Sequence, residues 1–181
     1  VREIKEILQP YFTEIITLQE AGIQHETVED GMTFEENALK KAREIAEISG
    51  LPALADDSGL CVEALDGAPG VYSARYAAEN DQNASDAENR RLLLKNMEGI
   101  TNRRAYFVCA AVICWPDGKN ISAEGRFYGE VAYEEKGENG FGYDSIFYVP
   151  QYGCTSAQMS REQKNSLSHR GIAFRELADK L

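Results

Sequence analysis

The chain has 181 residues, enough for one domain, or one domain with two lobes, around a substantial core. Its 43% hydrophobic and 27% charged residues exclude a disordered chain, and no apolar run approaches the roughly 20 residues that span a bilayer. A net charge of −11 opposes general binding to nucleic-acid phosphates, but a small polyphosphate ligand stays compatible if a few cations and a metal ion gather at one place.

Residues 1–9 read as an amphipathic helix with Ile4, Ile7 and Leu8 on one face, ended by Pro10. That start is unlike a signal peptide and points to a cytoplasmic protein. Ile15, Ile16 and Leu18 predict a short strand, followed by a polar loop through Gly31. Thr33 and Glu36 form a capping-box pattern ahead of an apolar stripe of Ala38, Ala42, Ile45 and Ala46, and Gly50 with Pro52 supplies the stop. Residues 52–55 predict a short apolar strand that runs into the turn-forming Asp56-Asp57-Ser58-Gly59. A second capping box, Ser85 with Glu88, opens a helix through Met97.

Residues 104–115 and 119–133 are rich in Val, Ile, Tyr and Phe, with Pro116-Asp-Gly between them, which is a hairpin signal. Residues 137–144 form a glycine-punctuated loop; Ser160 opens a helix, and Ser168 caps a final one to Leu181. The class is therefore α/β with a mixed sheet. Cys61, Cys109, Cys114 and Cys154 lack metal-ligand spacing and read as reduced thiols in the core.

Four clusters carry residue types suited to chemistry. Asp56 and Asp57 are adjacent, so in an extended chain only one of them faces a given site. Glu29, in the loop with Asp30, is a carboxylate able to join Asp57 at Mg²⁺, which takes one or two carboxylates with phosphates and water. Lys40 sits four residues after Glu36, as in a surface ion pair, whereas Lys41 lies beside the buried stripe and can reach a site. Phe141 and Tyr143 are placed to sandwich a purine ring, with Asp144 accepting from its edge. Lys164, Ser168, His169 and Arg170 gather cations near a helix start, where anions are favoured. No Walker motif, GxGxxG or nucleophile elbow is present, and each cluster alone also fits an ordinary turn or solvated surface.

Together, TFEENALKKAR (33–43), LADDSGLCVEALDGAPGVYSARYA (54–77), GENGFGYDSIF (137–147) and EQKNSLSHR (162–170) resemble the inosine triphosphate pyrophosphatase family, the dITP/XTP pyrophosphatases. The motifs keep the family's order and approximate spacing over nearly the whole chain. The resemblance implies an α/β fold with an elongated mixed sheet, in two lobes around a central substrate cleft. It also implies a homodimer and Mg²⁺-dependent hydrolysis of aberrant purine nucleoside triphosphates to the monophosphate and pyrophosphate.

By the same resemblance, Glu29 and Asp57 would hold the metal, Asp57 would be the general base, and Asp56 would be a close carboxylate, either on the metal side or just behind the ligands. Lys41, Ser58 and Lys164 would lie near the phosphates. Phe141, Gly142, Tyr143 and Asp144 would shape the base pocket, and His169 and Arg170 would read the purine edge. Two departures stand out: the family's opening strand with its Ser/Thr-x-Asn-x-x-Lys phosphate loop is absent before Val1, and Ser145 replaces a proline frequent in relatives. The expectation is thus a single pyrophosphatase domain over 1–181 without that strand and loop. A pyrophosphatase for other modified nucleotides, or an inactive nucleotide-binding module, are the alternatives.

Overall fold

The computed structural model describes residues 2–78 and 83–181. Helix α1 (Arg2–Leu8) is followed not by a strand but by turns and irregular chain up to α2 (Phe34–Ser49). The apolar run at 15–18 was misleading because Thr17 and Glu20 act as a cap. Glu20 N donates to Thr17 Oγ1 at 3.2 Å, Thr17 N donates to Glu20 Oε2 at 2.6 Å, and Ala21 N closes the turn onto Thr17 O. Local side-chain bonds of this kind compete with a strand's ladder.

Helix α2 forms as its caps dictate. Glu36 N donates to Thr33 Oγ1, the Glu36 carboxylate takes the N–H groups of Met32 and Thr33, and Gly50 ends the helix at φ 66. With its carboxylate committed there, Glu36 is not the partner of Lys40, contrary to the i,i+4 reading. Lys40 instead binds Asp30 at 2.7 Å and the Val28 carbonyl at 2.8 Å.

Strand β1 (Ala53–Val62) continues through Asp56-Asp57-Ser58-Gly59 where the local sequence suggested a turn. Helix α3 (Asp86–Asn96) is capped by Ser85 and Glu88. Strands β2 (Arg104–Cys114) and β3 (Asn120–Val131) form the expected hairpin, with Trp115 N bonded to Lys119 O at 2.8 Å and Gly118 at φ 86 in the turn. Short strands β4 (Phe147–Val149) and β5 (Cys154–Thr155) extend one sheet in the order β1-β2-β3-β4-β5, with β3–β4 and β4–β5 antiparallel. Helices α4 (Arg161–Ser166) and α5 (His169–Ala178) complete an α/β protein, as the sequence indicated.

The chain resolves into two compact units, and β1, β2 and β3 contribute to both. The first comprises the chain up to Ser58, Cys109–Gly125 and His169–Leu181. There β2 is covered on both faces, which is why it reads as a nearly unbroken apolar run. Cys109, Ala111 and Ile113 pack with Leu8, Phe174 and Leu177, whereas Val112 and Cys114 meet Ala38 and Ala42 of α2. The second unit, Gly59–Val108 with Arg126–Ser168, is built around Leu60, Val62, Leu93, Met97, Phe127, Ile146 and Phe147. All four cysteines are free thiols; three are buried and Cys154 is half-buried.

Candidate active site

In the first unit, alternation along β1 sends its two aspartates in opposite directions. Asp57 faces α2, where Asn37 Nδ2 donates to its Oδ2 at 3.0 Å and Lys41 Nζ lies 3.4 Å from its Oδ1. Lys41 also binds Glu29 Oε1 at 2.7 Å, so one ammonium joins the two carboxylates. Burial pushes the Asp57 carboxyl above its ordinary pKa; the Lys41 charge and the Asn37 hydrogen bond oppose the rise, and Glu29 adds to it. A half-buried carboxylate with one short hydrogen bond and one long ion pair retains capacity for another ligand.

The loop bearing Glu29 is fixed from both sides. Lys40 ties Val28 and Asp30 to α2, and Gly31 N donates to Asn37 Oδ1 at 2.8 Å. A Cβ at Gly31 would stand 2.6 Å from that same Oδ1, so glycine lets the loop approach Asn37. Asn37 was missed by the sequence analysis. Its signal was a polar residue one turn before Lys41 on a helix otherwise buried through alanines, and it is fully buried.

Asp56 points the other way. Its Oδ1 accepts from Arg170 Nη2 at 2.7 Å, and Ser58, two residues on along the same strand face, places Oγ 3.5 Å from its Oδ2. Asp56 therefore does not share the Glu29–Asp57 cluster, which corrects the expected set of three metal-side carboxylates. Cys109 lies 3.8 Å from the same Oδ2, and its thiol is pushed up to about 12 by burial and the Asp56 charge. His169 and Arg170 open α5 at a point where β3 comes close. A Cβ on Gly125 would collide with His169 O and Ala173 N, so only glycine allows this approach.

In the second unit the loop Phe141–Asp144 does not offer two rings. Tyr143 is buried in the core, with its hydroxyl donating to Ser73 O at 2.7 Å and its pKa raised by burial. The predicted aromatic sandwich is therefore replaced by one available ring, Phe141, 81% exposed, with Lys164 Nζ 5.6 Å from its centroid. Asp144 is buried and accepts from Phe141 N and Ser156 Oγ, both at 3.0 Å, and from Lys164. Lys164 is thus paired with Asp144 within this unit, where the sequence had suggested phosphates. Arg90 and Asp86 of α3, unforeseen in the sequence, bind the carbonyl and amide of Gly142.

Among the described residues no cluster of three or more His, Cys, Asp or Glu forms a cage. Two hard carboxylates beside a lysine are nevertheless a donor set that fits Mg²⁺, which is commonly held by one or two carboxylates with water and phosphate.

The model of the Ham1 family matches residues 1–180. A dITP/XTP pyrophosphatase of Desulfotalea psychrophila is 49% identical over 177 residues, covering 98% of this chain and 78% of that relative. One from Mannheimia succiniciproducens is 48% identical, with 100% of this chain and 92% of the relative covered. The solved Ham1 protein of Staphylococcus aureus superposes with a TM-score of 0.89 at 43% identity, over 99% of this chain and 91% of that one. The Ham1 protein of Coxiella burnetii gives the same TM-score and coverages at 41% identity. The family match runs along the chain and the fold is shared with solved members: this chain belongs to the Ham1 family.

Proposed function

We propose that this chain hydrolyses the aberrant purine nucleoside triphosphates ITP, dITP and XTP to the monophosphate and pyrophosphate, removing them from the nucleotide pool. Relatives bearing the name dITP/XTP pyrophosphatase at 45–49% identity support the reaction class. The observation that carries the chemistry is the joining of Glu29 and Asp57 by Lys41. Asp57 is the general base: its raised pKa reflects a carboxylate with incomplete compensation, suited to orient a water and take its proton. Lys41 exchanges its carboxylate contacts for phosphate oxygens as negative charge accumulates there. Asn37 keeps Asp57 aimed throughout.

Magnesium is the proposed cofactor, with Glu29 and Asp57 as its protein ligands; when bound it supplies charge neutralisation for the polyphosphate. The Asp56–Arg170 ion pair orients the guanidinium, and with His169 it supplies donors to the 6-oxo group that distinguishes hypoxanthine and xanthine from adenine. Phe141 offers its exposed ring to the base, and Asp144 with Lys164 holds that loop. We read the whole chain as one catalytic unit acting as a homodimer in the cytoplasm. Among the described residues no helix is long and apolar enough to cross a membrane.

Pyrophosphate release from ITP, dITP, XTP, GTP and ATP, with Mg²⁺ and with chelator, tests the reading. Release from the first three that stops in chelator supports it. Equal release from ATP, or none from any nucleotide, refutes it. Sedimentation of the same sample at the mass of one chain would overturn the dimer.

A further inference from the structure

Helix α3 holds the base loop at one residue through both its backbone N–H and its backbone C=O. Gly142 N donates to Asp86 Oδ2 at 2.7 Å, and Gly142 O accepts from Arg90 Nη1 at 2.8 Å. Asp86 and Arg90 are four residues apart, on the same helix face. Gly142 lies at φ +60, a conformation with few competitors among L residues, and both of its hydrogen-bonding groups go to α3.

The platform itself is firm. Ser85 and Glu88 cap α3, buried Asn89 accepts from Ala77 N at 2.8 Å and donates to Ala74 O at 3.1 Å, and Leu93 is fully buried. Arg90 is oriented further by Glu135, whose Oε2 receives Arg90 Nε at 3.1 Å and Ser145 Oγ at 3.2 Å. Phe141 stands between two anchors: its own N–H is on Asp144 and the next residue is on α3. An 81% exposed ring has almost no packing to hold it, so its position comes from the backbone on either side.

We propose that Asp86 and Arg90 are positioning residues that set the affinity for the base by fixing Gly142, and through it the ring of Phe141. The inference rests on the reading of the loop as the base site. Neither residue touches the phosphates in this account, so their loss acts on base binding and leaves the hydrolytic step intact.

The test compares the parent with Arg90→Met, Asp86→Ala, Asp86→Asn and Arg90→Lys on dITP and dATP, with melting temperatures for all. Asp86→Asn keeps an oxygen for the Gly142 N–H and Arg90→Lys keeps a donor for its carbonyl, so these two are the rescues; Asp86→Ala carries the test alone if Arg90→Met does not fold. Arg90→Met and Asp86→Ala should raise KM about tenfold for dITP and for dATP alike, with kcat within about twofold. Asp86→Asn and Arg90→Lys should restore the parent's KM. Folded variants with a lowered melting temperature but the parent's KM would make the clamp merely structural and overturn the inference alone. A parent that turns over no dITP would overturn the base-site reading, and this inference with it.

Discussion

Asp57 in the first unit and Asp144 in the second are both carboxylates beside a lysine, yet their surroundings differ. Asp144 is buried, with a backbone N–H, a serine hydroxyl and Lys164 all directed at it, so its hydrogen-bonding capacity is largely used. Asp57 has one amide donor at 3.0 Å and an ammonium at 3.4 Å that is closer to Glu29, and burial raises its pKa. A satisfied buried carboxylate holds structure together, whereas an incompletely satisfied one is available to a water, a metal or a phosphate-bound cation. The same residue types therefore do different work, and satisfaction separates them where identity does not.

The two aspartates are separated most sharply by neutralising Asp57 and by removing the cation from Asp144. Asp57→Asn should lower kcat by about 10²–10⁴-fold, the usual contribution of a general base, without lowering the melting temperature, because it removes a desolvated charge. Turnover at the parent rate would end its assignment as base. The complementary change acts on the second unit. Lys164→Met leaves the buried Asp144 carboxylate without its cation and should cost roughly 3 kcal/mol of stability in chemical denaturation. A variant as stable as the parent would mean that Phe141 N and Ser156 suffice.

A smaller effect is expected at Arg170, which is half-exposed and held by Asp56. Arg170→Ala should reduce the preference for dITP over dATP by about tenfold, the scale of one hydrogen bond to a charged donor; an unchanged ratio removes it from base recognition. The least effect belongs to the cap. Thr33→Ala should cost about 1 kcal/mol by freeing the Glu36 N–H and loosening the start of the helix that carries Asn37 and Lys41. Equal denaturation midpoints for parent and variant would show that tertiary packing alone sets that helix.

Much of this was legible in the sequence where the determinants are local. The caps at Thr33 and Ser85, the alanine stripe and the Pro116-Asp-Gly hairpin are short-range signals, and the elements follow them. The opposite facing of Asp56 and Asp57 followed from strand geometry alone, although the strand itself ran on past the residues that looked like a turn. What escaped was set by distant partners. Tyr143 turns from the 141–144 loop into the core, where Ser73, seventy residues earlier, offers a carbonyl to its hydroxyl. Lys40 bypasses Glu36, already committed to its cap, for a loop ten residues back. Arg90 finds Gly142 fifty-two residues away, and no local pattern announces that pairing.

In the proposed reaction, water activated at Asp57 attacks the α-phosphorus and pyrophosphate departs. Hydrolysis of dITP in heavy-oxygen water, with mass analysis of both products, tests it most directly. The label is expected in the nucleoside monophosphate, with unlabelled pyrophosphate and no orthophosphate at early times. Label in pyrophosphate, or release of orthophosphate with a nucleoside diphosphate, would contradict it.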